Sequence, residues 1–296
     1  MSYARRRINV TFQLGIGSFG DSGFNKIKMG TGTIGLQIYA HIEFATAPTT
    51  GVLQLRIWGM SLDHMNQLSK AGLEYAARSN NGVMVEAGDD DTGMTVVWNG
   101  LMVEAYPDFR NQPDVSFYVM ATPTPVIQLK PVPPTTFPGP VSAATALQQI
   151  VQKAGLTLEN NGVNTILASP YFPGSAWTQI LSVIKAADVF GFVDGIKKLL
   201  AIWPKDGSRS GGEAIISAAN GMINYPSFQA NNVIVRTEFN PKMLTDVGQL
   251  ITIQSTLIAA NGRFQVVAKN HELSSELPDG PWETILKATP LEQNKT

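Results

Sequence analysis

The stretch 34-IGLQIYAHIEF-44 decides the fold of this chain, because an apolar residue stands at every second position of it. Strict alternation over this length predicts a half-buried β-strand, with one face on a core and the other in solvent. A second alternating stretch, 53-LQLRI-57, follows after the turn-forming run 47-APTTG-51. The two stretches therefore predict a β-hairpin.

Strand-type alternation extends outward from this hairpin to both ends of the chain, from Ile8 to Leu129 and again from Asn232 to Ala288. Within the first range, Ser61 predicts the cap of a short helix, and Asn99-Gly100 predicts a tight turn or a bulge between strand residues. Five or six strands of this kind suffice to curl into a small barrel without exposed edges. We therefore predict one barrel domain over residues 1–130.

The middle of the chain has a different character. Residues 131–140 contain five prolines and predict a stiff, extended linker at a domain boundary. Beyond them, apolar residues at helical spacing predict two helices, the second capped by Ser175, and a hairpin around Asp194-Gly195. The predicted fold class is mainly β, with an α+β insert at 141–212 and a second barrel domain at 213–296.

Composition narrows the possible functions. The chain has 296 residues, 44% of them hydrophobic, with 22 basic and 23 acidic residues and no cysteine. This balance leaves no basic block of the kind that binds nucleic acid, so no sequence-specific nucleic-acid binding is predicted. No apolar run is long enough to cross a membrane, and the absence of cysteine excludes disulfides and thiolate sites. We expect an ordered globular protein without stable membrane insertion.

One sequence motif resembles a cofactor site. Residues 15-GIGSFG-20 match the dinucleotide-binding fingerprint and follow a predicted strand. That motif requires a helix whose N-terminal amides hold the pyrophosphate, yet the next residues, 21–33, are glycine-rich and lack apolar periodicity. The acidic partner at the expected distance, Glu43, lies on the polar side of a predicted strand. We therefore predict a flexible loop between strands and no cofactor.

Other candidates for chemistry are equally weak. The acidic run Asp89–Asp91 lacks the glycine and distal glutamate of a calcium loop, so a solvated turn is predicted. The histidines stand apart, His41 on a strand, His64 on a short helix and His271 at a strand end, in no metal or triad spacing. The tryptophans are scattered as expected for core or interface anchors, at positions Trp58, Trp98, Trp177, Trp203 and Trp282. No catalytic, cofactor or metal residue is predicted.

The order of these elements resembles the baseplate hub proteins of contractile-tailed phages, a family that includes the Mu-type and late-control tail proteins and related injection-system hubs. The resemblance rests on packing and turn signatures along nearly the whole chain: 7-RINVTF-12, 55-LRIWGM-60, 66-NQL-68, 97-VWNG-100, 113-PDV-115, 155-GL-156, 159-ENNGV-163, Tyr171, 203-WP-204, 221-GMINYP-226 and 239-FNP-241.

The resemblance implies a role and no catalytic site. Family members have two tube-like β-barrels per subunit, and a trimer forms a pseudo-hexameric ring that joins the hexameric tail tube to the trimeric central spike. It implies a homotrimeric structural protein of the virion tail baseplate, assembled in the host cytoplasm. Expected partners are tail tube or tube-initiator proteins, the spike, and tape measure or wedge components. Because the chain ends at Thr296, spike and cell-wall enzyme are expected to be separate chains.

Two alternatives from other classes stay open at this stage. A β-rich carbohydrate-binding or adhesin-like module would present its aromatic residues around a groove. A hydrolase with a carboxylate pair is possible in principle because 23 acidic residues allow some pair to meet in space. The sequence alone identifies neither the residues of a subunit interface nor those that face a channel.

Overall fold

A computed structural model describes residues 5–19, 23–30, 35–71 and 80–291 of the chain, with the side chains of Lys70, Ala71 and Pro125 left aside. The helices α1 to α4 span Leu62–Leu68, Pro125–Leu129, Ala143–Lys153 and Ala176–Ala187. Single 3-10 turns cover Ala218–Asn220 and Ile258–Ala260.

Strands dominate the described chain. In chain order, β1 to β21 span Arg6–Gln13, Lys26–Gly30, Gln37–Ala45, Val52–Trp58, Lys70–Ala71, Gly82–Asp89, Gly93–Asp108, Ser116–Thr122, Thr135–Thr136, Val141–Ser142, Thr157–Asn160, Ile166–Leu167, Tyr171–Phe172, Val189–Asp194, Leu199–Pro204, Ala214–Ser217, Met222–Gln229, Asn232–Glu238, Leu250–Gln254, Gly262–Ser275 and Trp282–Pro290. The prediction of a mainly β chain with a few helices is confirmed.

One sheet runs through both predicted β-modules. Its strands follow the order β17-β18-β21-β20-β3-β4-β8-β7-β6-β1-β2, and each neighbouring pair on this path is antiparallel. Strand β19 adds to β20, and β16 adds in parallel to β19. Among the described residues the path ends at β2 and β17, and no strand pairing between them closes it into a barrel. The hairpin predicted from residues 34–57 is present as β3 and β4.

Strand β20 joins the two halves of this sheet. Its first residues pair with β19, and from Ala268 onward it pairs with β3, with a register shift between Val266 and Ala268. The sequence predicted strand character here only from Phe264 to Ala268. The longer strand was missed because residues 269–274, KNHELS, are mostly polar on both sides of the pleat and give no apolar alternation.

The buried apolar residues form three separate cores. The largest is centred on the N-terminal module, with Ile42 and Trp98, and extends to Trp203 of the insert and to Leu273 and Trp282 of the C-terminal region. The second belongs to the insert, where the apolar faces of α3 and α4 pack on the small sheet β11-β15-β14. The third lies among β16 to β21 and includes Val235 and Val266. The C-terminal module thus has a small core of its own and also contributes to the largest one.

Local signals at the helix ends were predicted correctly. Ser61 caps α1 by accepting a hydrogen bond from the His64 amide, and Ser175 caps α4 by accepting from the Thr178 amide. The same arrangement begins α3, where Ser142 accepts from the amide of Thr145. Such caps satisfy amide groups that the first helical turn leaves without partners.

The proline-rich segment is more than the extended linker that the sequence predicts. Residues 131–140 are extended, but Thr135 is buried and donates a hydrogen bond to Gln179 of α4, so this segment packs against the insert.

Asn99-Gly100 forms no turn, because both residues pair with β6 inside β7. The bulge lies just before them, where Trp98 and Val96 pair with successive residues of β6.

Candidate functional site

The fingerprint loop joins two strands of a hairpin. Strand β1 ends at Gln13, and the following described element is strand β2, where a dinucleotide site requires a helix. The Leu14 amide donates to the Asn25 carbonyl over 2.8 Å, and the Gly15 amide donates to Asn81 Oδ1 over 3.0 Å. The last glycine of the motif, Gly20, lies outside the described residues. The described loop offers no helix N-terminus to a pyrophosphate.

The acidic run and the histidines do not form a metal or catalytic constellation. Asp89 closes the β6–β7 turn by accepting hydrogen bonds from the amides of Asp91 and Thr92. His41 contacts Glu43 and Glu272, while His64 contacts the capping Ser61. Across the described ranges, no group of three or more histidine, aspartate or glutamate side chains has the geometry to hold a metal ion.

His271 was expected at a strand end, but it lies inside β20 and is buried. Its Nδ1 lies 2.9 Å from the Thr284 hydroxyl, and the ring packs edge-on against Phe239. Burial lowers the pKa of His271 well below its ordinary value, and the nearby Lys269 ammonium lowers it further. This histidine is therefore neutral near pH 7.

The tryptophans behave as packing residues. Trp98, Trp203 and Trp282 are buried, and Trp58 and Trp177 are half-buried. Five scattered rings of this kind do not form the open aromatic platform that a carbohydrate-binding module needs. The prediction of core and interface anchors agrees with these positions.

The structure does assemble one charged cluster that the sequence did not reveal. This junction cluster comprises Glu159 and Asp194 of the insert, Lys197 and Arg209 of two loops, Asp246 of the loop before β19, and Lys269 of β20. It lies beside a cavity of about 380 Å³ that Phe44 and Phe192 also line. The cluster thus connects the insert to the strand that both β-modules share.

Arg209 is the most buried member, with its side chain 2% exposed. Its Nε donates to Glu159 Oε1 over 2.7 Å and its Nη2 donates to Glu159 Oε2 over 3.0 Å, in the two-point geometry typical of arginine and carboxylate. The other end of the cluster has Lys197 Nζ 2.9 Å and Lys269 Nζ 3.0 Å from Asp246. The charges are paired across three parts of the chain.

These pairs fix the protonation states of the cluster. Burial raises the pKa of Asp246, but Lys269 and Lys197 outweigh burial, so the net pKa is far below its ordinary value. The hydrogen bond from Arg209 lowers the pKa of Glu159. Neither Asp246 nor Glu159 therefore has the raised pKa that a catalytic carboxylic acid needs near pH 7. The cluster is suited to holding the insert on the sheet.

Arg209 could hardly be found from the sequence. It stands in the polar loop 205–212, where a single arginine gives no periodic signal. Asp246 and Lys269 are equally inconspicuous, and the three meet only because the loop before β19 folds over β20. Gly248 is required where the loop before β19 packs closely on Trp203. Its φ is +90°, and an added Cβ would lie 2.8 Å from the Trp203 ring.

The sheet also presents a polar face opposite the cores. Tyr39 donates to Glu272 over 3.0 Å, and burial together with this bond raises the pKa of Tyr39 to about 12. Arg56 lies above the Tyr118 ring at 5.5 Å and 3.2 Å from Asp108. Because these residues alternate with core residues along their strands, they form one continuous surface that crosses β8, β4, β3 and β20.

The helices in the described parts of the chain are all too short or too polar to cross a bilayer.

Comparison with solved structures places this architecture in a class. A tail protein from Neisseria meningitidis MC58 matches with a TM-score of 0.62 at 8% identity, covering 96% of each chain. The 43 kDa tail protein of prophage MuSo2 from Shewanella oneidensis matches with a TM-score of 0.62 at 10% identity, covering 96% of this chain and 97% of that one. The fold is therefore that of phage tail proteins.

A component of an E. coli type VI secretion system, described as similar in structure to the T4 tail proteins gp27 and gp5, matches with a TM-score of 0.55 at 6% identity. That match covers 86% of this chain and 73% of the other. A search of curated protein sequences finds no significant match.

The sequence model of the baseplate hub gp41 family matches residues 8–279, and the chain belongs to this family. The chain is thus a structural component of the phage tail baseplate and not an enzyme. The resemblance seen in the sequence is confirmed at the level of the family.

Proposed function

We propose that three copies of this chain form a ring that joins the hexameric tail tube to the trimeric central spike. The observation that carries the proposal is the pair of β-rich regions on one antiparallel sheet, connected by the shared strand β20, with an additional core among β16 to β21. Three copies of a chain with two such modules offer six module positions around one axis. This arrangement matches a six-fold partner on one side and a three-fold partner on the other.

In this proposal each module adopts a tube-like barrel within the ring. The N-terminal module covers residues 1–130, the linker 131–140, the insert 141–212 and the C-terminal module 213–296. Support comes from β1, which lies beside the end of β20: Arg5 forms an ion pair with Glu276, and Arg6 donates to the Gly280 carbonyl over 3.1 Å. These contacts bring the first strand of the ladder close to the shared strand.

The partners follow from the same role. A ring of this kind contacts the tail tube or its initiator on one face and the spike on the other, with tape measure and wedge components as further neighbours. The ring assembles in the host cytoplasm before it becomes part of the virion. The paired charges of the junction cluster hold the insert in place while the tail transmits force through the ring.

Co-purification tests the partner assignment. The purified chain is mixed with the spike encoded by the same phage, and the complex is sized by light scattering. A complex of three chains with one spike trimer is expected. Independent elution of the two proteins over the whole concentration range would reject the spike as a direct partner.

A further inference from the structure

We propose that neighbouring copies contact each other through two different surfaces, with the β1–β2 hairpin of one copy on the β17 edge of the next. The inference rests on the proposed trimer and deepens it by naming the surfaces that meet. Contact between unlike surfaces is the kind that closes into a ring when the rotation between copies allows it.

The β17 edge has an incompletely covered apolar side. Phe228 is the cross-strand partner of Val233, so both side chains lie on the same side of the sheet. Val233 is 3% exposed in the C-terminal core, whereas Phe228 is 54% exposed. Among the described residues β17 pairs only with β18. The core of this module is therefore exposed to solvent along the β17 edge. Tyr225, also on β17, is 72% exposed.

The β1–β2 hairpin carries a matching apolar residue at the other end of the ladder. Ile16, in the loop between the two strands, is 79% exposed. Exposure of this degree shows that Ile16 does not cover the β17 edge of its own chain. An exposed aliphatic side chain and an open aromatic flank are the two parts of an apolar contact.

The charges near the two surfaces are opposite. Lys26 at the start of β2 is exposed, and so is Glu238, whose amide donates to Gly221 just before β17. Neither side chain forms an ion pair with another described residue. Contact between the β1–β2 hairpins of two copies would bring their two Lys26 ammonium groups together, which costs electrostatic energy. Contact of the hairpin with the β17 edge instead brings Lys26 of one copy toward Glu238 of the next. Opposite charge therefore favours the unlike pairing and identifies a second copy of the chain as the occupant.

Variants of the apolar residues test the contact. Trimer dissociation is measured by analytical ultracentrifugation for the full chain and for Phe228→Asp and Ile16→Asp, with circular dichroism as the check on folding. Each variant is expected to weaken the trimer about tenfold or more, which corresponds to about 1.4 kcal/mol. The matched control is Ile166→Asp, an exposed apolar residue on the insert that belongs to neither surface, and it should leave the trimer unchanged.

Charge reversal tests which surfaces face each other. Lys26→Glu and Glu238→Lys should each weaken the trimer, and the double variant should recover most of the loss. Because recovery requires that the two sites act on one contact, a structural effect of either change alone would not produce it.

The native chain has no cysteine, so introduced cysteines give a further readout. Ile16→Cys and Tyr225→Cys variants are prepared separately and treated with a bifunctional maleimide, alone and mixed. Cross-linked dimers only in the mixture support the proposal. Cross-linking of either variant with itself would overturn it.

The outcomes separate this inference from the proposed function. If the native chain is a trimer and the Phe228, Ile16 and charge-reversal variants dissociate like the native protein, the named surfaces are wrong while the trimer stands. If the native chain is monomeric at every concentration, the proposed ring and the named contact both fail.

Discussion

Individual residues connect the parts of this protein mainly through paired charge. Arg209 is buried and bonded at two points to Glu159, while Asp246 lies between two lysines. Removing one partner of a buried pair leaves the other charge uncompensated, which costs more than the pair itself contributes. The junction cluster is thus a set of residues whose loss should loosen the insert.

Replacing Arg209 by methionine should lower the free energy of unfolding by about 3 kcal/mol, because Glu159 and Asp246 lose a buried partner. The measurement is urea unfolding followed by tryptophan fluorescence. Arg263→Met is the matched control: Arg263 pairs with Glu213 in a mostly exposed position, and this change should cost about 1 kcal/mol or less. Equal losses in the two variants would contradict the role of the cluster.

His271 should make the protein less stable in mild acid. Its pKa in the folded chain is below the value of about 6.5 for an unfolded chain, so below pH 6.5 the unfolded chain binds a proton that the folded chain excludes. Stability therefore falls as the pH decreases, by up to about 1.4 kcal/mol per pH unit for one proton. The Lys269 ammonium lowers the pKa of His271 and so strengthens this pH dependence, whereas the Asp246 carboxylate raises that pKa and weakens it.

Unfolding in urea at several values between pH 7 and pH 5 measures this slope. The variant His271→Asn, which keeps a polar group near Thr284 without titrating, should show little pH dependence in this window. A native slope equal to that of the variant would show that His271 does not control the acid response.

At the level of elements, the sequence predicted what depends on local pattern. The β3–β4 hairpin and the serine caps of α1 and α4 follow from alternation and from capping side chains, and the structure contains them. The second half of β20 and the strand β17 were missed because polar residues interrupt their alternation, and β16 was missed because it is a short apolar run without alternation. Their positions depend on pairing with distant strands, which no local pattern encodes.

The cap of α4 gives an element-scale prediction. Ser175→Ala should destabilise the chain by about 1 kcal/mol, because the Thr178 amide loses its acceptor at the start of the helix. Ser182→Ala, a half-buried position within the same helix, serves as control and should change stability by a few tenths of a kcal/mol. Thermal unfolding of both variants measures the difference, and an unaffected S175A melting temperature would contradict the capping role.

At the scale of the whole molecule, the shared strand β20 determines how the two β-modules are related. The sequence predicted two β-rich regions and an insert, but not that one antiparallel sheet passes through both regions. Such continuity fixes the two β-rich regions relative to each other. It also places the candidate contact surfaces at opposite ends of the ladder.

In the proposed assembly, three copies form a ring with six module positions. Electron microscopy of the purified chain at high concentration, with class averages of the particles, tests it most directly. Rings with three-fold symmetry and a six-lobed outline are expected. Compact single-chain particles at every concentration, both with and without the spike of the same phage, would contradict it.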